Sequence, residues 1–243
     1  MQHMKKISFL ILCSLFAWQC SNSADAWLEQ AKDRLKKGEL ISAREAIEKA
    51  IEKNPGFAEA YNLRGVIAFQ EKKMAEAEQD YAKAVELKPS LYPAHLNLAA
   101  VRMENLQWQK AVEPLEKAVQ LQPDSSAGYL QRGIVYAALQ KPNQAKSDFS
   151  TCIRLNPREI NALYNRGNLY FQEAKLDSAT LDFEKSIAID PNFGKAYYAI
   201  GLCYYKKNET DKACLAFNQA NKLHYPGAKD ADRKSTRLNS SHT

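Results

Sequence analysis

The sequence predicts an all-α protein assembled from six copies of one helical hairpin. Three observations carry that prediction. Prolines stand at Pro55, Pro89, Pro123, Pro157 and Pro191, each 34 residues after the last. Alanines keep the same step at Ala43, Ala77, Ala111, Ala145, Ala179 and Ala213. Large apolar residues hold a third register at Ile47, Tyr81, Leu115, Phe149, Phe183 and Phe217. Each hairpin leaves an apolar face that only the next hairpin can cover.

The unit 126–159 shows how one period is built. Tyr129, Gly133 and Tyr136 step by four and three along one face of a first helix. Ala145, Phe149 and Cys152 do the same on a second helix. Small residues on the first helix recur at Ala31, Gly65, Ala99, Gly133, Gly167 and Gly201. Those on the second recur at Ala50, Ala84, Ala118, Cys152, Ser186 and Ala220. Gly133 and Ala145 let the two helices approach, and Phe149 fills the space beside them. Pro157 lacks an N–H and disfavours helical backbone at the residue before it, so it closes the second helix.

An aromatic, a small residue, an alanine followed four later by a Phe, and a terminal Pro form a signature that resembles the tetratricopeptide repeat family. The resemblance covers six units: 24–57, 58–91, 92–125, 126–159, 160–193 and 194–227. It implies an all-α, right-handed superhelical solenoid whose concave groove is lined by each unit's first helix. Two departures stand out. Arg64, Arg132 and Arg166 replace the usual leucine before the small residue, and the last unit has Tyr225 and then Pro226, one residue late. Residues 228–231 read as the start of a truncated closing helix.

The ends carry a different signal. Lys5 and Lys6 precede an apolar run of 11 residues, Ile7 to Ala17. A membrane span needs ~20 apolar residues, so 1–19 reads as a signal peptide. Cys20 sits where a bacterial lipoprotein would be lipidated, with 20–23 as a short tether. Trp18 and Gln19 depart from the usual small residues before such a cysteine. Cleavage after Ala26 and a retained anchor are the alternatives. Lipidation implies an exported membrane lipoprotein facing the periplasm from the outer membrane; cleavage after Ala26 implies a secreted or soluble periplasmic protein. At the other end, Asp232 to His242 resemble a translated sequencing adapter, so 232–243 is excluded from the fold. The formal charge of +6 is concentrated at these ends. Without Lys5, Lys6, Arg233, Lys234, Arg237 and Asp232, the body holds 29 basic and 27 acidic residues. That balance gives no footprint for nucleic acid.

No enzyme is expected. The four histidines, His3, His95, His224 and His242, are scattered, and no HExxH, CxxC, GxGxxG, Walker or GxSxG motif occurs. Neither a cofactor nor a small-molecule substrate is expected. The groove instead offers an amide ladder, Asn97, Gln131 and Asn165, able to clip a peptide backbone in the manner of related repeat proteins. Glu29, Leu63 and Ala199 interrupt that register. Phe69, Met103, Phe171 and Tyr205 hold another groove register, and Tyr164 and Tyr198 a third. These aromatics read equally as ligand contacts or as packing between repeats. The carboxylate clamp of chaperone-binding relatives is absent as a set. Cys203 and Cys214 lie equidistant from the last hairpin's turn, so a disulfide between them is a candidate.

The expected function is a non-enzymatic scaffold of the bacterial envelope that binds a protein or peptide in its groove. The arrangement of signal, cysteine and repeats is similar to that of pilotin lipoproteins, which help assemble a membrane complex. An adaptor for envelope proteases or peptidoglycan enzymes is the alternative. A longer enzyme whose catalytic domain lies beyond residue 231 is another.

Overall fold

The structure, a computed structural model, describes residues 23–231. The expected signal segment 1–19, the lipid attachment point Cys20 and the adapter-like tail 232–243 lie outside the described residues. Among those described there are twelve long helices and no strand. The first helices of the six hairpins are α1 (Ala24–Lys36), α3 (Ala58–Gln70), α5 (Tyr92–Glu104), α7 (Ser126–Ala138), α9 (Ile160–Gln172) and α11 (Gly194–Lys206). The second helices are α2 (Leu40–Lys53), α4 (Met74–Leu87), α6 (Trp108–Leu121), α8 (Pro142–Leu155), α10 (Leu176–Ile189) and α12 (Thr210–Lys222). Residues 228–231 are helical again.

Both turns of the hairpin repeat their geometry. Each first helix ends in a left-handed residue: Gly38, Lys72, Leu106, Gln140, Ala174 and Asn208 all have φ between 56° and 77°. The next N–H then reaches back to the carbonyl five residues earlier, as in Lys73 to Ala68 at 2.9 Å and Lys141 to Tyr136 at 2.8 Å. This closure satisfies carbonyls that the helix end leaves open. The second helices close differently. Asn54, Lys88, Asn156 and Asp190, each just before a proline, have φ between −142° and −130° and ψ of 85° to 98°. The proline ring forces that extended backbone. Side chains lock the turn at three of them: Asn54, Asn156 and Asp190 each accept from the N–H two residues on. The displaced proline of the last unit changes the device. His224 is left-handed and Tyr225 N–H bonds Ala220 C=O at 3.0 Å, so α12 ends as a first helix does.

Size complementarity holds each hairpin shut. A Cβ built on Gly65 lies 2.7 Å from the Tyr81 ring. Gly133, Gly167 and Gly201 meet Phe149, Phe183 and Phe217 at 2.7, 2.6 and 2.5 Å. Where the first helix carries alanine, at Ala31 and Ala99, the in-register partner is aliphatic, Ile47 or Leu115. Glycine thus goes with a ring and alanine with a branched chain, so the filled volume stays nearly constant.

The arginines that depart from the family signature have matched partners sixteen residues on. Arg64 grips Asp80 with Nε and Nη2 at 2.8 and 2.7 Å. Arg132 and Arg166 grip Asp148 and Asp182 in the same fork. All three aspartates are buried. The hydrogen bonds that Arg64 and Arg166 donate to Asp80 and Asp182 hold both guanidinia above their ordinary pKa. The third hairpin replaces the whole pair with Leu98 and Pro114, and the sixth with Ile200 and Ala216.

The chain divides into two compact units, at residues 121 and 122. In the first, Leu28, Ala31, Ala43, Ile47, Ala50 and Ile67 form one core cluster, and Ala68, Tyr81, Leu98 and Val101 form another. In the second, Phe183, Ile200 and Cys203 centre a cluster that Tyr164, Phe171 and Phe193 flank.

Candidate partner-binding face

Within each unit, α-helical register decides which side chains meet across consecutive first helices. In the first unit α3 and α5 touch. Asn97 on α5 donates its amide to Asn62 on α3 at 3.0 Å. Its neighbour on α3 is thus another amide, one residue out of the ladder's register. Phe69 is half-buried and packs against the cluster of Tyr81 and Leu98. Met103 is half-buried one residue before the end of α5.

In the second unit α7 touches α9, and α9 touches α11. Gln131 and Asn165 therefore stand at equivalent places on adjacent helices. The Gln131 carbonyl oxygen is buried with no hydrogen-bond partner among the described residues. Asn165 is half-buried. Tyr164 packs edge-on against Phe193, centroids 5.4 Å apart, and tilted against Phe183 at 5.5 Å. Burial pushes its hydroxyl above the ordinary tyrosine value. Tyr198 packs on Phe217 and Tyr225 at 5.5 and 5.2 Å. Tyr164 and Tyr198 thus sit in ring clusters that join elements of the second unit. Phe171 flanks the core and carries the Lys206 ammonium 4.3 Å from its centroid. Tyr205 is 45% exposed and lines a cleft of about 420 Å³ with Tyr198, Leu202 and Asp230.

Several participants escaped the sequence reading. Asn62 is one; Lys195 and Lys206, which lean on aromatic rings, are others. The arginine–aspartate forks were legible as two registers sharing the 34-residue step, Arg64, Arg132 and Arg166 with Asp80, Asp148 and Asp182.

The candidate disulfide is not formed. Cys203 and Cys214 are both free thiols. Cys203 is fully buried and clusters with Ala179 of the preceding hairpin as well as Ala216 of its own. Equal distance from the turn does not make two helical residues face each other. Among the described residues no three His, Cys, Asp or Glu side chains come together as a metal site. No described helix is long and apolar enough to cross a membrane.

Tetratricopeptide repeat models match residues 28–92, 126–159, 160–193 and 183–214, together more than half of the chain. The chain belongs to the tetratricopeptide repeat family. No curated protein matches it. Among solved structures, it is similar to YrrB, described as a TPR protein with an unusual peptide-binding site. Identity there is 25% and the TM-score 0.68, over 78% of this chain and 99% of that one. It is similar to MamA at 27% identity and a TM-score of 0.64, over 71% of this chain and 94% of that one. PilF of Pseudomonas aeruginosa shares the fold at 22% identity and a TM-score of 0.75, over 88% and 97%. The fold is that of a TPR protein-interaction scaffold.

Proposed function

We propose that this TPR protein is a non-enzymatic scaffold of the bacterial envelope that holds a protein partner on the face of its first helices. The observation that carries this is the surface of α7, α9 and α11. Gln131 brings a buried carbonyl oxygen with no partner among the described residues, and Asn165 a half-buried amide, on helices that touch. Amides offering both donor and acceptor suit an extended backbone. The likeness to YrrB supports peptide recognition, and the likeness to PilF supports the scaffold fold.

Tethering at Cys20 belongs to the same reading. Ser23 caps α1 by accepting from Ala26 N–H at 3.1 Å. Cleavage after Ala26 removes that cap and the first turn, whereas processing at Cys20 keeps both.

Crosslinking in intact cells, followed by capture and identification, tests the face. A photo-crosslinker at Asn165 should trap one partner, and Gln131→Ala with Asn165→Ala should reduce the yield while the protein stays folded. Capture that is unchanged in the double variant rejects this face. Labelling with a fatty-acid analogue tests the tether, with Cys20→Ala abolishing the label.

A further inference from the structure

We infer that the crease between α9 and α11 takes an extended acidic segment of a partner protein, with two carboxylates about five residues apart. This rests on the partner-binding face proposed above and names the chemistry of its ligand.

The three first helices of the second unit contain no aspartate or glutamate. Their counterparts in the first unit carry Asp25, Glu29, Asp33, Glu59 and Glu104. The carboxylates at the helix ends of the second unit are engaged. Glu159 accepts from Asn161, Glu173 pairs with Lys146 and Lys175, and Glu209 pairs with Lys207 and Lys212. Asp230 lines the cleft beyond α11. Two cations on α11 have no carboxylate partner among the described residues, Lys195 and Lys206. Each lies instead over a ring of α9. Lys195 Nζ is 4.7 Å from the Tyr164 centroid, and Lys206 Nζ is 4.3 Å from that of Phe171.

Eleven residues separate the two lysines. That is three helical turns, so they share one face about 16 Å apart along the axis. Between them run Asn165 and Asn168 on α9 and Ala199 and Leu202 on α11, at matching heights. Asn168 stands one helical turn after Tyr164, while Asn165 has no hydrogen-bond partner among the described residues. Ala199 is small and buried, so the floor of the crease lies low between the two lysines. An extended chain advances about 3.3 Å per residue. Five residues therefore span the lysines, and acids at positions i and i+5 meet both while the intervening backbone passes Asn165. A ring under each lysine keeps the cation pre-placed without neutralising it.

The test uses the chain beginning at Cys20, with Cys20→Ser to keep it soluble. The probes are fluorescein-labelled, C-terminally amidated ten-residue peptides followed by anisotropy. One carries aspartates at i and i+5 in a Ser-Leu background, one has both replaced by Asn, and one by Lys. The proposal expects the Asp peptide to bind and the Asn peptide to bind at least tenfold more weakly. Lys195→Gln and Lys206→Gln should each lose about fivefold, the scale of one partly exposed ion pair. Lys195→Glu with Lys206→Glu should prefer the Lys peptide. Circular dichroism on each variant checks the fold. Equal binding of Asp and Asn peptides, with crosslinks to α9 and α11, overturns the acidic ligand but leaves the face standing. An Asp peptide that does not bind also overturns the proposal. The in-cell capture through Asn165 then judges the face separately.

Discussion

Arg166 and Asp182 lock α9 to α10 through a two-pronged ion pair, both prongs at 2.8 Å, and Arg166 Nη1 reaches Ser150 on α8 at 2.9 Å. One guanidinium thus ties together three helices of two consecutive hairpins. Asp182 is 2% exposed, so its charge depends wholly on that partner. A buried pair of this kind contributes little net stability over an apolar substitute, yet removing one member leaves an unpaired buried charge.

Asp182→Ala is accordingly expected to destabilise the protein by about 3 kcal/mol or more. Adding Arg166→Leu should restore most of that loss, because Ile200 and Ala216 fill the same two places in the sixth hairpin. Urea unfolding midpoints of the single and double variants measure the difference. A double variant as weak as the single one refutes the exchange.

Gly167→Ala brings a methyl to 2.6 Å from the Phe183 ring. The helix gains about 1 kcal/mol from alanine, but overpacking costs about 1–3 kcal/mol, so a net loss is expected. Phe183→Leu in the same chain should relieve it, reproducing the Ala99 and Leu115 pairing. Thermal melts of the two variants decide the point.

Leu106 closes α5 at φ 57° with its side chain 71% exposed. Glycine relieves the left-handed strain, worth about 1–2 kcal/mol, against an entropic cost of about 0.4–1 kcal/mol in the unfolded chain. Leu106→Gly should therefore raise the melting temperature, whereas the same change at Val101, buried inside α5, should lower it.

Thiol chemistry should separate the cysteines. Burial pushes the Cys152 thiol up to about 11, and it pushes Cys203 upward too. Cys214 is half-buried and outside the core cluster. Iodoacetamide at neutral pH should modify Cys214 first and Cys152 and Cys203 only on unfolding. Peptide mass mapping against time reads the order, and a non-reducing gel should show no intrachain bond.

Glu173 is held below the ordinary carboxylate value by Lys146 and Lys175, and Glu209 by Lys212 and Lys207. A depressed folded-state value means that the stabilisation is present above the unfolded value, about 4.3, and is lost as pH falls further. The melting temperature should hold from pH 8 to about 5 and decline below about 4.3. Glu173→Gln should make that decline shallower.

The hairpins were readable because their determinants are local and repeated. Pro55 or Pro157 stops a helix through its own ring, and the following copy of each apolar residue arrives in phase. The pairing of Gly133 with Phe149 was equally visible, since both sit on one hairpin at a constant offset. The left-handed closures were not, because Lys72, Leu106 and Gln140 are not residues that announce positive φ. The binding face was half-legible. Gln131 and Asn165 could be placed in one register, but Asn97's bond to Asn62 runs between registers.

Periodicity alone therefore specified the architecture of this protein: an all-α chain of hairpins, each helix ended by a residue within it or just beyond. Side-chain direction around each helix required the packed fold. Cys203 packed against Ala179, Lys195 and Lys206 settled over Tyr164 and Phe171, and the Gln131 carbonyl was left without a partner among the described residues. Those outcomes depend on contacts between helices more than thirty residues apart or on the rotation of one helix against its neighbour. A 34-residue repeat states which residues share a face; only close packing determines what each of them touches.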